Sequence, residues 1–289
     1  MKPLRHTVPL GASETPASFA SRTAALYGLP AREFCLDFGT TFQKVVDGEP
    51  TAIAIVAAKG GVPAAALAEH AFLRGEKHRY VHLGEALIRG ALRRQAIAVC
   101  PRCLAEDIAT SQSPPNLAPF GRAIWQIAAV KTCAVHGIAL SIVVRDLTPG
   151  RLHDFAHHIA GVVPNLDHLV AESAERPVSG LEAYVAGRLN ADAGPQLLDR
   201  LPLHVAIGAC ELFGAVATLG RTPHLKRLTD EQWHAAGGAG FDIFAGGEAS
   251  VADFLEGLRK NARTPLCHSR QIRWKRTPDR APGRFHIVD

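Results

Sequence analysis

The apolar and polar positions of this chain repeat mostly with a helical period, and capping residues mark where the segments start and stop. The first segment runs over 15–28, with Thr15 as N-cap before Pro16, Phe19 and Leu26 on the apolar face, and Gly28 as the stop. A short helix over 31–38 follows, ended by Gly39. Residues 50–72 read as two short helices joined at Gly60 and Gly61, with Pro63 opening the second. That is the layout of a helix-turn-helix and equally of a plain packed hairpin. The second helix is mostly alanine, so it offers few side chains for reading base edges. Residues 82–94 read as another helix, 111–119 as a proline-rich loop, and 141–144 as one short strand. Helical period then returns over 154–161, 179–190, 203–219, 229–236 and 250–259. Thr229-Asp230-Glu231-Gln232 has the form of a helix start, and Ser250-Val251-Ala252-Asp253 resembles a capping box. Between them, Gly237-Gly238-Ala239-Gly240 reads as a turn.

Composition sharpens this picture. Hydrophobic residues make up 47% of the 289, yet aromatics are only 6% and alanine is abundant, which favours helix. The length suits two or three modules. The expected fold is therefore mainly α: a helical N-terminal module with a helix-turn-helix-like hairpin over 1–95, a small central zinc-finger module over 96–145, a helical C-terminal module over 146–258, and a basic tail over 259–289. No apolar run reaches the length of a membrane span and no signal-type h-region opens the chain, so a cytoplasmic protein with reduced cysteines is expected. The net charge of +5 suits a polyanionic partner such as DNA. Arg270, Arg273, Lys275 and Arg276, with Trp274 among them, are the candidate nucleic-acid contacts in the tail, where a solvated appendage is the plain alternative.

The strongest chemical signal is Cys100-Pro101-Arg102-Cys103 followed by Cys133-Ala134-Val135-His136. Two ligand pairs, each separated by two residues, predict one structural Zn2+ per chain held by Cys100, Cys103, Cys133 and His136. Four protein ligands leave no open position for a catalytic water, which weighs against a zinc hydrolase. Cys35, Cys210 and Cys267 stand alone and read as small core residues. His153, His157 and His158 read as a polar helix face. Trp125 is expected to plug the small module, with Arg122 stacked nearby or paired with Glu106 or Asp107. No phosphate loop, nucleophile elbow or dinucleotide fingerprint is present.

Taken together, Glu14, Ser18, Phe19 and Arg22, then Cys100 to Asp107, Arg122 with Trp125, and Cys133 with His136-Gly137 and Leu140 resemble the TniQ family of transposition proteins. A sparser likeness continues through Gly240-Phe241-Asp242-Ile243-Phe244 and Gly247. Phe19 stands where the family has tryptophan, Ala134 where it has proline, and no second cysteine pair follows Leu140. The resemblance implies a non-catalytic target-selection adaptor, with Glu14, Ser18, Phe19, Arg22, Arg122 and Trp125 as structural positions of the motif. Such an adaptor would link a DNA target, or a targeting complex, to a transposon-encoded regulatory ATPase. A transposase or a CRISPR surveillance complex would be further partners, and an oligomer is compatible. The alternative is a zinc-dependent DNA-binding transcriptional regulator.

Overall fold

A computed structural model of the chain describes residues 2–145 and 153–263, the last three by backbone alone. Thr15 Oγ1 accepts from the Ser18 N–H at 3.2 Å, so α1 (Pro16–Leu26) starts where the cap and proline predict. The short helices α2 (Ala31–Asp37) and α3 (Phe42–Val46) follow. Next, α4 (Pro50–Gly60) ends at a left-handed Gly61, and α5 (Ala64–Glu69) turns back beside it. One face of α1 packs Phe19, Ala20 and Ala24 against Phe34, Ile53, Val56 and Leu67 to form a first apolar core. The Phe19 ring lies where a Cβ on Gly60 would sit, so glycine there lets α1 and α4 approach closely.

The helix expected over 82–94 is absent: the stretch instead holds the end of one strand, a second strand and a 3-10 turn over Arg89–Ala91, the strands belonging to a three-stranded antiparallel sheet. Its strands β1 (Leu73–Arg74), β2 (Arg79–His82) and β3 (Glu85–Ile88) lie in chain order. Leu83 and Gly84 both have positive φ, which makes the two-residue turn that folds β3 back on β2. Burial over this stretch has period two: Tyr80, His82 and Leu87 face inward while Arg79, Val81, Ala86 and Ile88 face solvent. The helical reading failed because apolar residues three and four apart also satisfy part of a strand pattern once a turn intervenes.

Further on, β4 (Ala96–Val99) pairs antiparallel with β7 (Ser141–Arg145), which contains the strand expected at 141–144. Between them lie α6 (Pro101–Thr110) and the hairpin β5 (Thr132–Cys133) with β6 (Ile138–Ala139). The C-terminal half is helical: α7 (Phe155–Val162), α8 (Leu166–Ala171), α9 (Gly180–Leu189), α10 (Gln196–Asp199), α11 (Leu203–Leu219), α12 (Asp230–Ala245) and α13 (Gly247–Arg263). A second core runs from Leu87, Val99 and Leu104 through Ile138 and Ile159 to Leu203 and Cys210. The protein is mainly helical. Cys35 and Cys210 are buried, as expected of core thiols. None of its helices, over the described residues, is long and apolar enough to cross a membrane.

Two local expectations in α12 and α13 are corrected. The glycine cluster makes no turn: Gly237, Gly238 and Gly240 lie inside α12. A Cβ on Gly214 of α11 would fall 1.7 Å from the Ala236 carbonyl oxygen, and one on Gly240 would fall 1.8 Å from that of Cys210. The two helices therefore touch backbone to backbone, and glycine outweighs its poor helix propensity by removing a clash. Ser250 to Asp253 likewise cap nothing, because α13 begins at Gly247. By contrast Thr229 and Gln232 form a reciprocal capping box, with Gln232 N–H on Thr229 Oγ1 at 3.2 Å and Thr229 N–H on Gln232 Oε1 at 2.9 Å.

Gly214→Ala should force α11 and α12 apart and cost about 3 kcal/mol or more, at the upper end of overpacking effects. Urea unfolding checks this, against Gly208→Ala as a control in the same helix, where the added Cβ meets nothing within 4 Å.

Candidate metal centre

Cys100 is the N-cap of α6, and its Sγ accepts from the Cys103 N–H at 3.5 Å. Pro101 at the first helical position has the φ the turn requires, so the second thiol returns to the first after one turn. The other pair sits on the β5–β6 hairpin, where the Gly137 N–H donates to the Cys133 carbonyl at 2.8 Å and Gly137 takes φ +59. This turn swings His136 back over Cys133. All four donor atoms lie within 4.8 Å of one another. His136 Nδ1 is 3.4 Å from Cys100 Sγ, 3.3 Å from Cys103 Sγ and 3.6 Å from Cys133 Sγ, and the last two sulfurs are 3.6 Å apart. The sequence-predicted ligands are thus brought together, in an arrangement compatible with a structural metal.

The electrostatics of the cluster point the same way. The adjacent thiols of Cys100 and Cys133, and then burial, push the Cys103 thiol up, whereas contacts from Cys100 and Cys103 draw Cys133 far down. A divalent cation bound among the three sulfurs would let several of them ionise side by side. His136 Nε2 donates to Glu106 Oε1 at 2.9 Å. That bond leaves Nδ1 free to face the sulfurs, which is the outer-shell device that fixes a ligating imidazole.

The polar side of α1 builds a second constellation next to this one. Glu14 and Arg22 form a buried ion pair at 2.7 Å. Glu14 also accepts from Ser18 Oγ at 2.7 Å and from the Gly11 N–H at 2.9 Å. Arg22 donates to the carbonyls of Leu117 at 2.7 Å and Pro9 at 3.2 Å. Ser18 Oγ in turn accepts from the Gly121 N–H at 2.8 Å. One residue beyond, Arg122 grips Asp107 of α6 with two bonds of 2.8 and 3.0 Å, its guanidinium lying over the rings of Phe120 and Trp125. Both sequence alternatives for Arg122 therefore hold, with Asp107 as its acid, while Glu106 is taken by His136. Phe19 belongs to the opposite face of α1, in the first core, and Trp125 is buried as the plug.

Two functional anchors escaped the sequence. Arg93 donates to the carbonyls of Trp125 at 2.7 Å and Ile127 at 2.6 Å, and burial lowers its pKa to about 10. Glu182 of α9 accepts from the Lys131 and Thr132 N–H groups at 2.6 and 2.8 Å, immediately before Cys133. Partners so remote in sequence leave no local signal, although the Ser179–Glu182 capping spacing could have flagged Glu182 for its other role. Arg270, Arg273, Lys275 and Arg276 lie outside the described residues, as does Cys267. His157 and His158 sit edge to face on α7, apart from the one cluster among the described residues suited to a metal.

Residues 6–140 match the model of the TniQ family. The chain carries a TniQ domain. A search of curated proteins returned no match. The TniQ match spans α1 through β6, so the Cys/His cluster and the Glu14–Arg22 network both fall inside it. These two constellations are the polar framework on which the TniQ domain closes.

Glu14→Gln keeps the shape of the side chain but leaves the Arg22 charge buried without a partner. A loss of about 3–5 kcal/mol of folding stability is expected, read by chemical denaturation. A change under about 1 kcal/mol would show that the network is not a principal support.

Proposed function

We propose that this protein is a non-catalytic target-selection adaptor in DNA transposition, linking a DNA target or targeting complex to a transposon-encoded regulatory ATPase in the cytoplasm. The observation that carries the reading is the TniQ match over residues 6–140, which encloses a closed Cys/His cluster. Transposition is the coarse role that comes with the TniQ domain. The ATPase, the DNA contact and the absence of catalysis are the further content of this proposal. The last of these is supported by the Cys/His cluster, whose four protein donors would leave a bound metal no position for a reacting water.

The cluster is assigned to zinc. Tetrahedral zinc with bonds near 2.3 Å separates its sulfurs by about 3.7 Å, close to the spacing present here. Cys100, Cys103, Cys133 and His136 would hold the ion, and its contribution is folding energy rather than reactivity. The α4–α5 hairpin supports a helix-turn-helix reading, although its exposed residues include Pro63, Ala64 and Ala65, which present no groups that distinguish bases.

Protein purified without chelator should contain about one equivalent of zinc per chain by elemental analysis. Cys103→Ser should lose the metal and melt far below the parent, since structural zinc contributes on the order of 10 kcal/mol. A metal content near zero would remove the zinc assignment.

The adaptor role is tested by capture of a transposon-encoded regulatory ATPase, with and without duplex DNA. Binding of the ATPase by a protein that neither hydrolyses nor strand-transfers DNA alone is the expected outcome. Failure to bind it in both conditions, together with tight binding of one DNA sequence, would favour the transcriptional regulator.

A further inference from the structure

The three-stranded sheet that replaces the expected helix follows the α4–α5 hairpin directly, with only residues 70–72 between α5 and β1. Its inner face, Tyr80, His82 and Leu87, is buried, and its outer edge is held by the C-terminal helices. Arg188 of α9 grips Glu85 with bonds of 2.7 and 2.9 Å, and His204 of α11 donates to the Ala86 carbonyl at 2.9 Å. The sheet is therefore anchored to the C-terminal helices, and among the described residues its outer face is exposed.

That face is chemically uneven. Leu73, Val81 and Ile88 are 43%, 42% and 41% exposed. Cross-strand register sets Arg79 opposite Ile88, and Arg89 follows Ile88 in the chain. At the same end the β1–β2 connection carries Lys77 and His78 on left-handed backbone. Arg74 is occupied by Asp47 at 2.9 Å, and Glu85 by Arg188. Lys77, Arg79 and Arg89 are exposed and make no ion pair among the described residues, with Glu76 as the acid in the connection. Exposed cations are usually placed near acids that offset them; here Asp47 and Glu85 are committed to Arg74 and Arg188, which leaves Glu76 as the one nearby acid against three cations.

The geometry points to a phosphate-binding wing: Lys77, Arg79 and Arg89 grip the backbone of duplex DNA beside the α4–α5 hairpin, without reading sequence. This rests on the DNA contact proposed above and places part of it inside the TniQ domain instead of in the basic tail. Charge complementarity selects the occupant, because phosphates neutralise unpaired cations and release counterions. Guanidinium and ammonium groups suit phosphate oxygens, while Ile88 opposite Arg79, and Val81 farther along β2, suit the apolar faces of the sugars. The alanine-rich α5 is consistent with a contact that positions the protein and leaves specificity to a partner.

The test uses the full chain and two 30-base-pair duplexes of unrelated sequence, with fluorescence anisotropy read across a salt series. Lys77→Ala/Arg79→Ala/Arg89→Ala should weaken both duplexes alike, by roughly tenfold or more at low salt, and make the slope of log affinity against log salt shallower by roughly 2 to 3. Arg79→Gln and Arg89→Gln singly should each produce part of the effect, and an unchanged melting temperature confirms folding. Parent binding with a variant of unchanged affinity and slope overturns the wing while leaving the DNA-binding reading intact. Loss on one duplex alone overturns it in favour of base readout. If the parent binds polyglutamate better than either duplex and the variant loses it, the face belongs to an acidic protein and the proposal fails. A parent that binds neither duplex removes both the wing and the DNA contact on which it rests.

Discussion

Burying an ion pair costs several kcal/mol of desolvation per charge, and Glu14 with Arg22 offsets that cost with further hydrogen bonds, Glu14 accepting from Ser18 and Gly11 and Arg22 donating to the carbonyls of Leu117 and Pro9. Apart from Ser18, those partners belong to segments without regular secondary structure: the extended leader at Pro9 and Gly11, and the loop near Leu117. Ser18 extends the constraint to Gly121, and Gly121 leads at once to Arg122 and Asp107 on the helix that carries two thiols. Burial raises the Glu14 carboxyl, with Arg22 as its main opponent, so the charge on Glu14 depends on that arginine staying where it is. The N-terminal helices and the metal cluster are thus positioned relative to each other by polar contacts at a place where apolar packing alone would not specify a register.

Much of this was legible from residue order, for a physical reason. Caps, N-terminal prolines and stop glycines act over three or four residues, so Thr15, Gly61 and Thr229 announced their helices directly. The Cys/His cluster was legible because a tight turn is the only local requirement for bringing each pair together, and the two pairs then meet within 4.8 Å of one another. Legibility ended where the partner is distant. Arg93 and Glu182 serve backbone groups some 30 to 50 residues away, and an arginine or glutamate looks the same in sequence whether it faces water or carbonyls. The sheet at Arg79 to Ile88 was missed because Leu83 had to adopt a left-handed conformation that its side chain does not advertise. The glycines of α12 were misread for a related reason: in isolation they weaken a helix, and only the facing Cys210 backbone gives Gly240, and the Leu181 side chain gives Gly237, a purpose.

Glu182 ties the two halves of the chain together in a specific way. The same carboxylate caps the start of α9 through the Ser179 N–H and holds the backbone that delivers Cys133 to the cluster. The turn that carries Cys133 and the start of α9 therefore share one group.

The backbone contact at Gly214 and Gly240 bears on how the protein could transmit anything between partners. Helices separated by side chains can slide by repacking rotamers, whereas helices in direct main-chain contact have no such play. The α11–α12 pair is accordingly a stiff lever, pinned at one point along its length. Any rearrangement on assembly has to occur at its ends, in the connection over 220–229 or at Gly246 and Gly247, so a partner gripping α12 would move α11 with it as a single body.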